Sequence, residues 1–495
     1  MIYIKLSKLL SGVCIIRASD DLLTAEINGV KENSNDVCPG DLFIALGGTS
    51  YDGFDYIAKA ISNGASAVLF ESRKRAFRGD VNGVCFVETN NARRACSVIM
   101  SNYYSSPERY LHLIGVTGTN GKTTVCRMIK HILEKDGIKC GITGTLGNGV
   151  GDEIESSSMT TPPPGEFYRL LDLYRKKGAK AVVSEVSSHA LKQDRVACCT
   201  FDVGALTNIS TDHMDFHKTF DDYVSSKCKL FTQSRISVLN GDDPSSALIS
   251  RRTRGKKRFY SENGNGDIIL SDITDNGING TEFDYFGKTQ TRVKVCLPGR
   301  YNAKNAACAI AVCEELGIQA KSAAESLESL PYVNGRCEVL DLREFNADFS
   351  VVIDFAHTPD ALVNILNTCR SFTEKRLIAV FGCGGDRDKS KRPEMGRISS
   401  RIADFTVVTS DNPRTEDPEN IIRDILKGID KTSRYKAIIN RTEAIKYALD
   451  IAKSGDVVLL AGKGHEDYEI DQNGKKPYSE RNIVFDYLKG KSAEG

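Results

Sequence analysis

The segment Gly115-Val-Thr-Gly-Thr-Asn-Gly-Lys-Thr-Thr124 carries the residue types needed to grip a phosphate chain. Gly118 and Gly121 let backbone N–H groups turn toward an anion with no Cβ in the way. Lys122 can reach β- and γ-phosphate oxygens, and the hydroxyl of Thr123 or Thr124 can ligate Mg²⁺. The strict pattern G-x-x-x-x-G-K-[ST] is missed by one residue, because Val116 stands at the first glycine position and Gly115 comes one place early. Two further polar clusters follow apolar runs: Ser184-Glu-Val-Ser-Ser-His189 and Asn208-Ile-Ser-Thr-Asp-His-Met-Asp-Phe-His217. Glu185 is placed to be a Mg²⁺ carboxylate, although on position alone it serves equally as a capping or surface residue. His213, Asp215 and His217 have metal-ligating types, yet the same spacing suits a polar loop.

The elements around these residues follow from periodicity. An apolar run at Leu111, Leu113, Ile114 and Val116 predicts a buried strand ahead of the phosphate loop. Behind the loop, Val125, Met128, Ile129, Ile132 and Leu133 repeat at helical spacing over Thr123 to Asp136, and Gly137 is a natural stop. Strand, glycine loop and helix are the context that a phosphate loop requires. Buried strands are expected over 179–188 and 201–208, with polar residues just past their ends, where α/β sheets bind ligands. Residues 242–297 change to short alternating runs between Gly/Asn turns, which predicts antiparallel strands appended to a parallel core. Tyr301 to Leu316 reads as a helix, and residues 151–165 as a polar connection.

Four more apolar runs, 349–355, 376–381, 405–409 and 456–460, each feed a polar loop, with helices between them. That alternation predicts a second doubly wound sheet, with the four loops gathered on one edge. The fold class expected is therefore α/β with three domains. They are a small α/β domain over 1–108, a central phosphate-loop domain with a parallel sheet over 109–332, and a Rossmann-like domain over 333–495.

Composition agrees. At 495 residues the chain is too long for one core. A net charge of +1 implies no nucleic-acid partner, and no apolar run approaches the roughly 18 residues of a membrane span. The first residues read as the start of the fold and not as a signal peptide. Fifteen scattered cysteines, with no C-x-x-C pair, suit reduced thiols in the cytoplasm.

Six segments together resemble the ATP-dependent Mur ligases: Gly115 to Thr124, Glu185 to His189, Asn208 to His217, Tyr301-Asn-Ala-Lys-Asn305, Asn334-Gly-Arg336 and Asp354-Phe-Ala-His-Thr-Pro359. With flanking matches, the resemblance runs from about residue 34 to 466. It implies transfer of the γ-phosphate of ATP to a substrate carboxylate, followed by attack of an amine on the acyl phosphate. It further implies ATP and Mg²⁺, small-molecule partners only, and a monomeric cytoplasmic enzyme of peptidoglycan precursor synthesis.

Residue by residue, the match implies that Gly118, Thr119, Asn120, Gly121, Lys122, Thr123, Thr124, Asn305, Arg336 and Asp354 hold ATP. Thr123, Glu185 and His213 would ligate Mg²⁺, joined by Lys227 as N6-carboxylysine; read without the family, Lys227 is an ordinary ion-paired lysine. Lys122, Lys227, His213 and Glu185 are the expected catalytic set. Ser34, Thr49, Ser50, Tyr51, Thr160, Thr161, Ser187, Gln193 and Arg195 would bind a UDP-muramoyl dipeptide. Asn33 and Asn35 stand where the family usually has Asp and Arg around Ser34, and Met159 where Asn is common.

Three loops, Gly382 to Arg387, Asp411-Asn-Pro-Arg414 and Gly462-Lys-Gly-His-Glu466, resemble those of members that add meso-2,6-diaminopimelate to UDP-N-acetylmuramoyl-L-alanyl-D-glutamate. The expected amino-acid site is Arg387, Asp411, Asn412, Pro413, Arg414, Gly462 and Glu466. Arg414 offers a bidentate fork for the distal carboxylate that diaminopimelate has and lysine lacks, and Asp411 and Glu466 suit an ammonium. The rivals are an L-lysine-adding ligase, a folylpolyglutamate-type ligase without the Asp411 to Arg414 quartet, and a nucleotide-dependent switch that ligates nothing.

Overall fold

The computed structural model describes residues 3–19, 24–48, 51–71, 83–157, 159–345 and 347–494, with side chains to residue 491. Three α/β layers are strung in sequence, as expected. The first holds a five-stranded sheet in the order Ile15–Ala18, Cys85–Thr89, Ala67–Glu71, Leu42–Ala45, Val30–Lys31, parallel except for its first pair. The second holds an eleven-stranded sheet. The third holds six strands in the order Glu338–Val339, Ser350–Asp354, Val457–Ala461, Leu377–Phe381, Phe405–Val408, Tyr435–Ala437.

In the second layer the strand His112–Thr117 lies between Ala181–Glu185 and Phe201–Leu206, parallel to both. The register places Glu185 opposite Val116, so the carboxylate emerges beside the phosphate loop. The helix Lys122–Lys135 follows, and Val125, Met128, Ile129, Ile132 and Leu133 are all buried, as their spacing predicts. It ends where Gly137 takes φ +81°, with Ile138 N–H donating to Leu133 O at 2.8 Å and Gly137 N–H to Glu134 O at 3.1 Å. These two bonds satisfy last-turn carbonyls in a Schellman geometry that needs a left-handed residue.

One face of this sheet is covered by Lys122–Lys135, Tyr301–Glu315 and Ala320–Leu327. The opposite face shares a continuous apolar cluster with the first layer, from Leu6 and Ile99 through Phe167 to Leu230. The strands Ile268–Asp275, Thr281–Phe286 and Gln290–Val295 are antiparallel, as predicted. Residues 151–165 are not wholly a connection: Glu153–Glu155 pairs as an edge strand with Gly147–Val150, which pairs in turn with Cys140–Gly144. The third sheet has helices on both faces, and its parallel strands Ser350–Asp354, Leu377–Phe381, Phe405–Val408 and Val457–Ala461 all send their carboxyl ends to one edge.

Candidate active site

The carboxyl edges of the second and third sheets enclose one cavity of about 1060 Å³. Its phosphate-loop wall is Thr119, Asn120, Gly121, Lys122, Thr123 and Thr124. Gly118 (φ +153°) and Gly121 (φ +85°) take conformations that L side chains rarely adopt. A Cβ at Gly118 would lie 1.9 Å from Thr207 Oγ1, and one at Gly121 2.6 Å from Asn305 Oδ1. The loop is pinned from the next strand end: Thr207 Oγ1 donates to Asn120 O at 2.5 Å, and Asn120 N–H to Asn208 Oδ1 at 3.0 Å. Lys122 is folded back, its Nζ donating to Gly118 O at 3.0 Å and Thr119 O at 2.8 Å.

Glu185 is buried at the sheet end. Its Oε2 accepts from Thr123 Oγ1 at 3.0 Å, and its Oε1 from Thr145 N–H at 2.8 Å. Arg336 crosses from the third layer to donate Nη2 to Thr123 Oγ1 at 3.1 Å, and its guanidinium lies 4.8 Å from the Phe355 ring centre. Asp354 holds its oxygens on the N–H groups of Cys337 and Ala356, both at 2.7 Å. Burial raises its carboxyl above the usual range. Asn305 stands on the helix Tyr301–Glu315 against Gly121.

His213 lines the cavity in a left-handed backbone conformation (φ +57°), with Nε2 3.3 Å from Asp212 Oδ2. Burial holds its imidazole neutral. Asp215 lines the cavity as well, but His217 does not join them: its Nε2 sits 3.0 Å from Ser188 Oγ and its Nδ1 3.6 Å from Asp222. Lys227 stands behind the phosphate loop. It is 1% exposed, donates Nζ to Gly118 O at 2.7 Å and lies 4.5 Å from the Tyr223 ring centre. Burial first, and the Lys122 charge second, push its amine well below the usual lysine range. Among the described residues no three His, Cys, Asp or Glu side chains group as a metal site.

The third-layer wall contains Arg387, Asp411, Asn412, Arg414, Gly462 and Glu466; Pro413 lies outside the lining. Asn412 Nδ2 donates to Glu466 Oε2 at 2.8 Å. Arg414 (φ +53°) donates Nη1 to Gly385 O at 2.8 Å, and Arg387 pairs with Asp215 at 3.6 Å across the cleft. Burial, then the neighbouring Asp411, raises the Glu466 carboxyl.

The residues expected around the UDP-linked substrate split into groups. Thr160 lines the cavity. Thr161, Ser187, Gln193 and Arg195 form a cluster beside it: Arg195 Nη1 donates to Thr161 O at 2.6 Å, its Nη2 to Gln193 Oε1 at 2.8 Å, and Thr161 Oγ1 to Ser187 Oγ at 3.3 Å. Ser34 is buried in the first layer and Tyr51 is 73% exposed there. Thr49 and Ser50 lie outside the described residues.

Residues 26–108 match the Mur ligase family catalytic domain, 116–313 the Mur ligase middle domain and 335–464 the Mur ligase glutamate ligase domain. A UDP-N-acetylmuramoyl-L-alanyl-D-glutamate–2,6-diaminopimelate ligase of Clostridium botulinum is 40% identical over 467 residues, 94% of this chain and 95% of that one. The chain belongs to the Mur ligase family. A solved structure of a ligase of the same name matches with a TM-score of 0.70 and 30% identity over 99% of both chains. A MurF ligase of Thermotoga maritima in complex with ADP has the same fold, with a TM-score of 0.63 at 20% identity over 94% of this chain and 98% of that one.

Several residues of this Mur ligase cavity escape sequence reasoning. Asp212 and His189 line it, and the His189 ring stacks on Phe216 at 4.0 Å and meets His213 edge-on at 4.8 Å. Burial pushes the His189 imidazole down to about 4. Lys391 reaches His357 O at 2.8 Å, and Tyr468 lines the third-layer wall. His189 and Asp212 sit inside matched segments, which was the available signal; Tyr468 had none.

Proposed function

We propose that this Mur ligase joins meso-2,6-diaminopimelate to UDP-N-acetylmuramoyl-L-alanyl-D-glutamate at the expense of ATP. One observation carries the reading: the phosphate loop and the Asp411 to Arg414 loop open on the same cavity. In the first step a substrate carboxylate oxygen attacks the γ-phosphorus of ATP and ADP leaves. In the second the amine forms the C–N bond, phosphate leaves with the C–O bond, and a proton is released. Residues 1–108 take the UDP end, 109–332 the ATP and 333–495 the amino acid. The enzyme works as a monomer in the cytoplasm.

The residues present fit a triphosphate. The loop glycines hold a cradle that a Cβ would fill, and Lys122, Arg336 and the Lys122–Lys135 helix start bring positive charge to it. Thr123 and Glu185 offer hard oxygen donors 3.0 Å apart on the cavity wall, a fit to Mg²⁺. Thr123, Glu185, His213 and a carboxylated Lys227 would hold it, and when bound it neutralises phosphate charge. A buried lysine held neutral can add CO₂ through its lone pair, losing a proton and gaining a carboxylate. Lys122 and Arg336 neutralise and orient the phosphates, Asn305 lies against the loop, and Arg195, beside the cavity, would pair a substrate carboxylate. Arg414 and Arg387 take the amino acid's carboxylates, and Asp411 and Glu466 its ammonium.

Phosphate release with the UDP-linked dipeptide plus either amino acid tests this. Release should need both substrates, with diaminopimelate preferred over L-lysine by about two orders of magnitude or more. Lysine preference would make the chain a lysine-adding ligase. Release independent of both substrates would leave only a nucleotide switch.

A further inference from the structure

The amino-acid wall has a cation behind it that no step above uses. Lys463 follows the strand Val457–Ala461 and is 0% exposed. Its Nζ donates to Asn412 Oδ1 and to Tyr468 O, both at 3.0 Å. The same ammonium lies 3.5 Å from Asp411 Oδ1 and 3.9 Å from Glu466 Oε2. Four groups that line the cavity therefore converge on one charge that does not line it.

Two consequences follow. Asn412 Oδ1 accepts from Lys463 and from Ile470 N–H at 2.9 Å, so both acceptor sites on its oxygen face the protein. The amide is thereby locked with Nδ2 outward, toward Glu466 and the cavity. Asp411 and Glu466 both lie beside this ammonium, at 3.5 and 3.9 Å, and burial first, then the Asp411 charge, raises the Glu466 carboxyl while Lys463 opposes that rise. Two further cations act on Asp411: Arg441 is committed to Glu480, Ser410 O and Ala461 O, and Arg414 donates Nη1 to Gly385 O from the cavity side. Asp411 Oδ1 is buried with no hydrogen-bond partner, and the Lys463 ammonium at 3.5 Å is the cation that faces it.

We propose that Lys463 is the positioning residue of the amino-acid site: it sets the Asn412 amide and keeps Asp411 and Glu466 ionised to receive an ammonium. This rests on the function proposed above. A lysine serving only to fill the core would be as replaceable by any side chain of its size.

The experiment is steady-state kinetics of the full chain with Lys463→Gln and Lys463→Arg. Gln keeps a donor for Asn412 and removes the charge. It should raise KM for diaminopimelate at least tenfold while leaving KM for ATP and for the UDP-linked dipeptide within twofold, and Arg should recover most of the loss. Unchanged diaminopimelate KM, or equal rises in all three KM values, overturns the proposal. If Lys463→Gln fails to bind ADP, Asn412→Asp is the second arm. It keeps the acceptor but turns the outward donor into a carboxylate, and should raise the diaminopimelate KM alone; no rise overturns the proposal. Wild type with no amino-acid-dependent phosphate release would instead defeat the function reading.

Discussion

Lys122 and Lys227 donate to the same acceptor in the phosphate loop, Gly118 O, at 3.0 and 2.7 Å. Two ammonium groups on one carbonyl repel each other, and among the described residues no carboxylate is in hydrogen-bond reach of Lys227, Asp212 and Asp243 acting on it only from further away. Its burial and the Lys122 charge both favour the neutral amine, the form that adds CO₂. We predict a carbamate resonance in the ¹³C NMR spectrum of the enzyme equilibrated with ¹³C-bicarbonate, absent from Lys227→Arg. A wild-type spectrum with no such resonance at neutral pH would falsify the modification.

The same burial has a stability consequence. The folded state lowers the Lys227 pKa, so below the ordinary lysine value of about 10.5 the unfolded chain binds a proton that the folded chain releases or holds at a cost. Stability from this group is thus lowest at neutral and acid pH and recovers as pH rises toward the unfolded value. In bicarbonate-free buffer Lys227→Met should therefore raise Tm at pH 7 by about 2–4 °C for each kcal/mol regained, while activity is lost. The gain should shrink toward pH 10. A variant less stable at pH 7 than at pH 10, relative to wild type, would show that the lysine is not held neutral by burial.

Much of this is legible in the sequence alone. The phosphate-loop helix announces itself because its buried positions repeat at 3.6 residues. The third-layer loops follow because each succeeds a continuous apolar run. What escaped has physical causes. The edge strands over 140–155 carry Gly141, Gly144, Gly147 and Gly149, and glycine weakens any strand signal. Glycine is there because other groups come too close: a Cβ at Gly141 would meet Tyr174 at 2.5 Å, and one at Gly144 Glu185 Oε1 at 2.3 Å. The bond from Arg336 to Thr123 spans 213 residues of sequence, so only tertiary packing brings it about. Lys463 reads in the sequence as one polar residue in a polar loop, and only the fold buries it.

Thr123 joins three segments, donating to Glu185 and accepting from Arg336. Thr123→Val keeps the shape and removes both bonds. Glu185 retains Thr145 N–H and Oγ1, so the fold should hold. The Arg336 Nη2 bond is lost, together with the oxygen proposed as a Mg²⁺ ligand. We expect kcat/KM for ATP to fall by on the order of 1.5–3 kcal/mol, about 10- to 150-fold, with Thr123→Ser near wild type. Equal activity of the valine and serine variants would remove Thr123 from the nucleotide site.

Arg414 combines a strained backbone with a side chain proposed to read the distal carboxylate, and two substitutions separate them. Its φ of +53° costs a non-glycine residue roughly 1 kcal/mol. Nothing in the loop's backbone bonding requires an L side chain there: Arg414 N–H donates to Ile470 O at 3.0 Å, which glycine preserves. Arg414→Gly should therefore be more stable to unfolding than Arg414→Ala by about 1 kcal/mol. Both should lose the guanidinium equally, and with it on the order of 1.5–3 kcal/mol of diaminopimelate recognition. L-Lysine presents no distal carboxylate to that fork, so its kcat/KM should change little. The preference for diaminopimelate should then fall by about 10- to 150-fold in both variants. Wild-type preference in either one would show that the distal carboxylate is read elsewhere in the cavity, with Arg387 the first residue to test.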